Sequence, residues 1–202
     1  ASLGYWLARR IAHGIARRRS QMFRTLRANL AHVVPDAAPA ELDRMAEQAI
    51  AHAGRTYFDM FHCRLEDYTS GRAQVRIDPA DLQMALDVCR SDRGTVIAGP
   101  HTSNFDLAAQ YLVAHGIDMQ ALSLAEPNAG TRLLNDLRGK RGVTMTPINI
   151  PSLRMAMERL KGGGTVVTGV DRVAARTDPP LSFFGQPAPM PTGHVRLAVQ
   201  TR

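Results

Sequence analysis

Two residues that could share a proton, His101 and Asp106, lie five positions apart in the segment 95–106, whose sequence is TVIAGPHTSNFD. A short apolar run comes first, then Gly99 and Pro100, and then a Thr-Ser-Asn cluster that can cap a helix, so this order predicts strand, loop and helix start. Five residues of a continuous helix turn through about 500°, so the two side chains can meet only if His101 lies in the loop. Asp106, in the first helical turn, is then expected to hold one imidazole nitrogen and leave the other free as a base.

The same segment has no nucleophile of its own. Ser103 is two residues from His101, but no Gly-x-Ser-x-Gly elbow surrounds it, and its position favours a helix cap. The proton that His101 accepts is therefore expected to come from a hydroxyl group of a substrate. In the alternative interpretation, His101 is an ordinary turn residue and Asp106 an ordinary first-turn acid, because short motifs often match by chance.

The composition suits one sizeable domain with its own core. The chain has 202 residues, of which 45% are hydrophobic and 21% charged. No apolar run approaches the roughly 18 residues that a membrane span needs. Cys63 and Cys89 lack the spacing of metal ligands, so we expect reduced thiols in a cytoplasmic setting, with no metal and no bound cofactor.

All of the net positive charge lies at the N-terminal end. The chain carries 25 Lys and Arg against 18 Asp and Glu, a net charge of +7, and residues 1–35 contain seven arginines and no acid, so residues 36–202 balance to zero. The seven are Arg9, Arg10, Arg17, Arg18, Arg19, Arg24 and Arg27. A basic end on a neutral body predicts an anionic partner, either the phosphates of a membrane surface or nucleic acid.

Residues 2–19 have the pattern of a basic amphipathic helix. Apolar residues recur at every fourth position, with arginines between them: Leu3, Leu7, Ile11 and Ile15. Such a helix either lies in a membrane interface or packs on the rest of the protein with a solvated basic face, and the pattern fits both. Together with a second helix predicted over 21–34, it makes residues 1–35 a basic amphipathic helical segment.

Downstream, the sequence predicts a single α/β domain over residues 36–202. Two helices come first, and from Thr95 onward short apolar strands alternate with helices. The helices are predicted over 41–65, 78–90, 104–115, 128–141 and 151–161, and the strands over 95–99, 119–124, 143–148, 165–170 and 181–184. This alternation predicts a mostly parallel central sheet flanked by helices, in which ligands gather at the carboxyl ends of the strands. His101 lies beyond one such end, and Asp171 with Arg172 lies beyond another.

Several blocks of the sequence resemble a known enzyme family and occur in the same order. HTSNFD looks like the His-x4-Asp signature of glycerolipid and lipid A type acyltransferases. The later blocks are Glu126-Pro127, Arg138-x3-Gly142 before a strand that ends at Pro147, Asp171-Arg172, Phe183-Phe184-Gly185, Met190-Pro191-x-Gly193 and Leu197-Ala198. Together they resemble the bacterial lipid A biosynthesis (lauroyl/myristoyl) acyltransferase family, most closely its phosphatidylinositol mannoside acyltransferase branch. The glycerol-phosphate acyltransferases fit less well, since Pro100 stands where they usually have Asn and their Pro-Glu-Gly-Thr block is missing.

The resemblance implies a glycerolipid acyltransferase-like fold and an O-acyltransferase activity. An acyl thioester of coenzyme A or of an acyl-carrier protein would pass its chain to a hydroxyl of a lipid or glycolipid. His101 would be the general base, and Asp106 would fix its tautomer. The oxyanion would meet backbone N–H groups at the start of the helix, or Arg172.

The resemblance also implies substrate-binding residues. These are Glu126, Arg138, Asp171 and Arg172. The two arginines would clamp a phosphate or organise the pocket through the two acids, and buried Arg–acid pairs of purely structural value are the alternative. Proteins of this family continue past the last helix with further strands, so we expect the domain to be truncated at its C-terminal end.

The expected protein is thus a peripheral enzyme on the cytoplasmic side of the cell membrane, with an anionic membrane surface as partner. Two other functions compete with this one. In a lipid thioesterase or hydrolase, His101 would activate water in place of an acceptor hydroxyl. A nucleic-acid-binding module would use the arginine-rich end, but the neutral body and an aromatic content of only 5% argue against it, and no nucleic acid is expected.

Overall fold

The computed structural model describes residues 2–64, 67, 77–102, 104–171 and 180–202, with the side chain of Ser2 left out. In chain order the elements are α1 (Ser2–Arg17), α2 (Gln21–Val33), α3 (Pro39–His62), α4 (Pro79–Cys89), β1 (Thr95–Gly99), α5 (Phe105–Ala114), β2 (Met119–Ser123), α6 (Ala129–Lys140), β3 (Val143–Pro147), α7 (Ile150–Lys161), β4 (Thr165–Gly169), β5 (Pro180–Phe183), β6 (Gln186–Pro189) and α8 (Gly193–Gln200). The predicted α/β fold, with a helical region before a parallel sheet, is confirmed.

The chain forms two compact units. The first contains Ala1–Cys63 and Leu181–Ala188, and the second contains Arg64–Pro180 and Pro189–Arg202. The helical unit therefore takes in α3 as well as the basic segment, residues 1–35, that the sequence sets apart. Among the described residues, no helix combines the length and the apolar character needed to cross a bilayer.

Small residues form the contact between α1 and α3. Ala8 and Ala12 of α1 are buried, and Ala12 belongs to one apolar cluster with Phe23 of α2 and with Ala46 and Ile50 of α3. Alanine side chains allow two helix axes to approach closely, so the helix buries its alanine face. The N-terminal unit thus has a small core of its own.

The large apolar side chains of α1 face solvent as a consequence. Leu3 is 76% exposed, and Trp6, Leu7 and Ile11 are each at least half exposed. Only Ile15, at the end of the predicted stripe, packs against the apolar cluster. The helix is amphipathic as predicted, but most of its predicted apolar stripe is left uncovered.

One acid of α3 binds two arginines of the basic segment. Arg19 donates to both carboxylate oxygens of Asp43, at 3.2 Å and 2.7 Å, and Arg27 Nε donates to Oδ1 at 2.5 Å. The hydrogen bonds from Arg27 and then Arg19 hold the pKa of Asp43 below its usual range. The remaining five arginines of the segment are exposed: Arg9, Arg10, Arg17, Arg18 and Arg24.

The second unit is built on a four-stranded parallel sheet with the order β1-β4-β2-β3. The register pairs Gly99 with Gly169 and Met119 with both Thr165 and Val143. Successive side chains of a strand point to opposite faces, so neighbouring residues of β4 enter different apolar clusters. Val167 packs in the cluster that contains Leu86 of α4, and Val166 in the cluster that contains Leu160 of α7 and Leu197 of α8. Helices therefore cover both faces, as a parallel sheet requires.

Helix ends follow the expected local chemistry. Asp78 caps α4 by accepting a hydrogen bond from the Ala80 N–H, and Asn128 caps α6 in the same way from the Thr131 N–H. Gly116 and Gly142 follow α5 and α6 with φ of +85° and +89°, a conformation that favours glycine. These signals explain why most element boundaries lie close to the predicted ones.

One strand was missed by the sequence prediction. β5 and β6 form a two-stranded hairpin, whereas the sequence predicted only one strand there and irregular loops around it. Prolines depress strand predictions because they cannot donate a backbone hydrogen bond. A short two-stranded hairpin tolerates them, since its outer edges need no such donors.

Candidate active site

The strand order brings two loops together at the carboxyl edge of the sheet. β1 and β4 are parallel neighbours, and their last residues, Gly99 and Gly169, are paired in register. A backbone hydrogen bond from the Val170 N–H to the Gly99 carbonyl extends this pairing by one residue, at 3.2 Å. His101 and Asp171 each lie two residues beyond these glycines, so the two side chains emerge side by side.

His101 and Asp171 are joined by two short hydrogen bonds. Nδ1 of the imidazole lies 2.6 Å from Asp171 Oδ1, and the backbone N–H of His101 donates to Oδ2 at 2.6 Å. An ionised carboxylate only accepts hydrogen bonds, so the proton of the neutral ring is assigned to Nδ1. Nε2 then carries the lone pair, and the pair has the chemistry of a base with its orienting carboxylate.

The environment of Asp171 favours its charged form. Partial burial would raise the pKa of this carboxyl, but the hydrogen bonds from the His101 side chain and backbone outweigh that effect. The pKa of Asp171 therefore lies below its usual value. A carboxylate that stays ionised can stabilise positive charge on the ring when the ring accepts a proton.

The imidazole of His101 packs directly against the backbone of Gly169. A Cβ built on Gly169 would lie 2.6 Å from Cε1 of His101 and 3.3 Å from its Nδ1. Any side chain at this position would push the ring away from its present place, because real Cβ atoms do not approach other atoms so closely. The ring thus packs on the backbone at the end of β4.

The predicted contact between His101 and Asp106 is wrong. Asp106 is only 5% exposed in the first turn of α5, and both its oxygens accept hydrogen bonds from Arg138 of α6. The distances are 2.6 Å from Nε to Oδ1 and 2.9 Å from Nη2 to Oδ2, a bidentate ion pair. The physical reason is the strand order: β4 next to β1 gives His101 a carboxylate two residues past the neighbouring strand, while Asp106 faces α6.

The guanidinium of Arg138 is fixed by a second polar side chain. Its Nη1 donates to Asn135 Oδ1 at 3.0 Å, and Asn135 Nδ2 donates in turn to the hydroxyl of Ser123 at 2.9 Å. Ser123 is the last residue of β2, so this chain of hydrogen bonds ties α5, α6 and the carboxyl edge of the sheet together. These hydrogen bonds fix the orientation of the Arg138 guanidinium near the carboxyl edge of the sheet, beyond which His101 also lies.

The ring of Phe105 lies between the His101–Asp171 pair and the Arg138–Asp106 pair. The ring of Phe105 meets the His101 ring edge to face, with centroids 4.9 Å apart, and the guanidinium carbon of Arg138 lies 5.8 Å from the Phe105 centroid. These distances are within the range of favourable aromatic and cation–π contacts. The histidine and arginine pairs therefore form one connected cluster.

Of the other two predicted binding residues, Glu126 lies among the described residues and Arg172 does not. Glu126 is exposed in the loop after β2, and no hydrogen bond joins it to another described residue. Arg172 lies outside the described residues, so its predicted role stays a prediction. Among the described residues, no three His, Cys, Asp or Glu side chains are grouped as metal ligands would be.

A cleft of about 730 Å³ lies beside α6 and β3, the outer strand on the side of the sheet away from β1. Polar side chains contribute much of its lining, among them Asn135, Asp136, Lys140, Thr144 and Thr146. Neither His101 nor Asp171 lines it, because β1 and β3 are the two outer strands of the sheet. The cleft therefore reaches the cluster at Ser123 and Asn135, which connect to Arg138, while the His101–Asp171 pair lies outside it.

Sequence reasoning missed three contributors to the cluster. Asn135 precedes Arg138 by three residues, a helical spacing that places both on one face and could have been noticed. Phe105 lies inside the His-x4-Asp motif, where its residue type alone does not indicate a contact with His101. Gly169 lies one residue before the end of a predicted strand, but only the tertiary contact with His101 shows why it is glycine.

Comparisons with known proteins match the sequence of this chain to one enzyme family. The family described as "Bacterial lipid A biosynthesis acyltransferase" matches residues 1–202. The chain is also 28% identical over 181 residues to the phosphatidylinositol mannoside acyltransferase of Mycolicibacterium smegmatis, which covers 87% of this chain and 59% of that protein. The corresponding protein of Mycobacterium tuberculosis (strain H37Rv) is 28% identical over 185 residues, covering 87% of this chain and 57% of that one. The chain therefore spans a little under three fifths of the length of these curated relatives.

Proposed function

We propose, on the premise that this chain belongs to the bacterial lipid A biosynthesis acyltransferase family, that it carries the acyl-transfer site of a lipid acyltransferase. The observation that carries the proposal is the pairing of His101 Nδ1 with Asp171 at 2.6 Å, at the carboxyl edge of a parallel sheet. It supplies an oriented base, and Ser103, the neighbouring hydroxyl that the sequence favours as a helix cap, lies outside the described residues. Such a site suits direct transfer between two bound substrates.

In the proposed reaction, His101 Nε2 removes the proton of an acceptor hydroxyl while the hydroxyl oxygen attacks the thioester carbonyl carbon. A tetrahedral oxyanion forms, and the carbon–sulfur bond then breaks as the carbonyl re-forms. The imidazolium returns its proton to the leaving thiolate, so the products are an ester and a free thiol. Asp171 stabilises the imidazolium through Nδ1 and keeps the correct tautomer throughout.

The remaining residues have supporting roles in this proposal. Asp106 and Arg138 hold the start of α5, where backbone N–H groups are candidate donors to the oxyanion. Arg138, Glu126 and Arg172 remain the proposed substrate-binding residues, with the arginines suited to an anionic group of the acceptor or donor.

The proposed acyl donor is a thioester of coenzyme A or of an acyl-carrier protein, and the proposed acceptor is a lipid or glycolipid hydroxyl. Two relatives named as phosphatidylinositol mannoside acyltransferases support a glycolipid acceptor above other lipids. A lipid acceptor lies in a membrane, so a peripheral location on the cytoplasmic side of the cell membrane fits the proposal. No metal or cofactor takes part in the proposed steps.

Mass spectrometry of lipid products tests the proposed activity. The protein is incubated with acyl-coenzyme A or acyl-carrier protein and with a panel of mannolipid, lipid A-like and glycerophospholipid acceptors. We expect a new acyl ester on one acceptor class, formed together with free thiol and dependent on that acceptor. Free fatty acid released at the same rate without any acceptor would instead identify a thioesterase, in which His101 activates water.

We further propose that α1 attaches the protein to anionic membranes. The support is the exposed apolar face of Leu3, Trp6, Leu7 and Ile11 together with the exposed arginines of the basic segment. Apolar side chains can enter the interface while arginines meet lipid phosphates. This arrangement fits an interfacial helix better than a helix that only packs on the protein.

Vesicle binding tests the role of α1. Trp6 is the single tryptophan of the chain, so its emission reports on α1 alone and is expected to shift to the blue with anionic vesicles. Replacing Arg17 and Arg18 together by Gln should weaken binding by roughly 30-fold at low salt, because each charge near the surface contributes about 1 kcal/mol. Vesicles of zwitterionic lipid are the matched control. Equal binding of both proteins to both kinds of vesicle would show that the basic segment has a structural role only.

A further inference from the structure

The turn of the β5–β6 hairpin exposes two phenylalanines. Phe183 is 49% exposed and Phe184 is 56% exposed, and their rings contact each other edge to face with centroids 4.6 Å apart. Leu181, two residues earlier, is 52% exposed. Both rings are about half exposed, so together they form an apolar surface at the end of the hairpin.

The backbone at this turn is unfavourable for phenylalanine. Phe184 has φ of +47° and is followed by Gly185 at +73°, the two left-handed residues of a tight two-residue hairpin loop. Asn, Asp or Gly normally occupies the first of these positions, since a bulky residue there is strained. Burial within the protein does not compensate for this strain, because the ring is more than half exposed. A favourable contact between the Phe184 ring and a molecule outside the protein would offset this strain and explain why phenylalanine occupies the position.

We propose that the tip of the β5–β6 hairpin inserts Phe183 and Phe184 into the interface of an anionic phospholipid bilayer. This inference rests on the membrane association proposed above and adds a second, independent contact to it. Aromatic side chains suit the boundary between head groups and acyl chains. The family's active-site chemistry is not involved, because none of the residues of the His101 cluster belongs to the hairpin.

Charge and location point to a bilayer as the occupant. Residues 181–188 belong to the same compact unit as α1, whose exposed apolar face is flanked by arginines. Residues 181–188 contain no Asp or Glu, so the hairpin has no carboxylate that lipid phosphates would repel. An anionic surface is therefore complementary in charge to the unit that carries both the exposed apolar face of α1 and the β5–β6 hairpin.

Replacing Phe184 by Gly separates membrane binding from folding. Glycine tolerates the positive φ, so the melting temperature is expected to stay the same or rise. Binding to anionic vesicles is expected to fall about tenfold, the loss corresponding to one phenylalanine partly removed from water. Met84→Ala is the matched control, since Met84 is 60% exposed on α4, in the other unit, and its loss should leave binding unchanged. Unchanged vesicle binding by the Phe184→Gly protein would overturn the proposal.

A tryptophan placed in the turn gives a direct second readout. The protein with Trp6→Phe and Phe184→Trp reports only on the hairpin, while the unaltered protein reports only on α1. We expect the new tryptophan to be quenched by acrylamide without vesicles, and to be protected and quenched by bromine-labelled acyl chains with anionic vesicles. Two results would overturn the proposal: protection from acrylamide already in solution, or full acrylamide quenching in vesicle-bound protein. If Trp6 of the unaltered protein also fails to respond to vesicles, the membrane association itself fails.

Discussion

Replacing His101 by alanine is expected to lower acyl transfer by about 100-fold or more while the fold persists, since general-base catalysis contributes at least that much. The side chain is partly exposed, and its only ring hydrogen bond among the described residues goes to Asp171, so its loss leaves no buried group unpaired. Product formation is followed by mass spectrometry on the acceptor class identified above. His32→Ala is the matched control, because His32 is exposed at the end of α2.

The Asp171→Asn variant shows whether the observed pair is the working one. An amide cannot hold the imidazole in the same way, so turnover should fall while the melting temperature changes little. Asp106→Asn is expected to behave differently and to affect stability first, because Asp106 binds Arg138 and not His101. Turnover that is unchanged in the His101→Ala protein would remove this residue from the mechanism. A larger loss of activity in Asp106→Asn than in Asp171→Asn, at equal stability, would restore Asp106 as the orienting acid.

Replacing Arg138 by methionine is expected to destabilise the protein by about 3–5 kcal/mol, the usual cost of leaving a buried charge without its partner. Asp106 has a side chain that is only 6% exposed, and it receives both of its described ion-pair hydrogen bonds from Arg138. Methionine keeps the apolar volume of the arginine stem but cannot donate to the carboxylate. Urea unfolding of the two proteins measures the difference.

Arg159→Met is the matched control for this experiment. Arg159 donates to Asp118 at 2.7 Å, but the carboxylate is 73% exposed, so this pair should contribute at most about 1 kcal/mol. Replacing Asp106 by Asn in the Arg138→Met protein should recover part of the lost stability, because the unpaired charge is then removed. Equal destabilisation by Arg138→Met and Arg159→Met would mean that the buried pair is not structural. Arg138 would then be better explained as a binding residue for an anionic substrate group.

Local chemistry made much of the fold predictable. Alternation of short apolar runs with periodic helices indicated the parallel sheet, and capping residues such as Asp78 and Asn128 located helix starts correctly. The hairpin at residues 180–189 was only half predicted, since proline content obscures a strand that needs few backbone donors. The orientation of α1 was not predictable either, because both its alanine face and its leucine face fit a helical pattern, and only packing on α3 selected between them.

The candidate residues could all be named from the sequence: a histidine after one strand, an acid after another, and an arginine and an acid at helical positions between them. How these residues pair follows from the strand order of the folded sheet. Sequential strands often lie side by side, yet here the fourth strand of the sheet lies next to the first. That neighbour is selected by long-range packing of helices on both faces, which no local pattern encodes. It places Asp171 against His101 and leaves Asp106 to Arg138, so the partner of the base follows from topology and not from spacing along the chain.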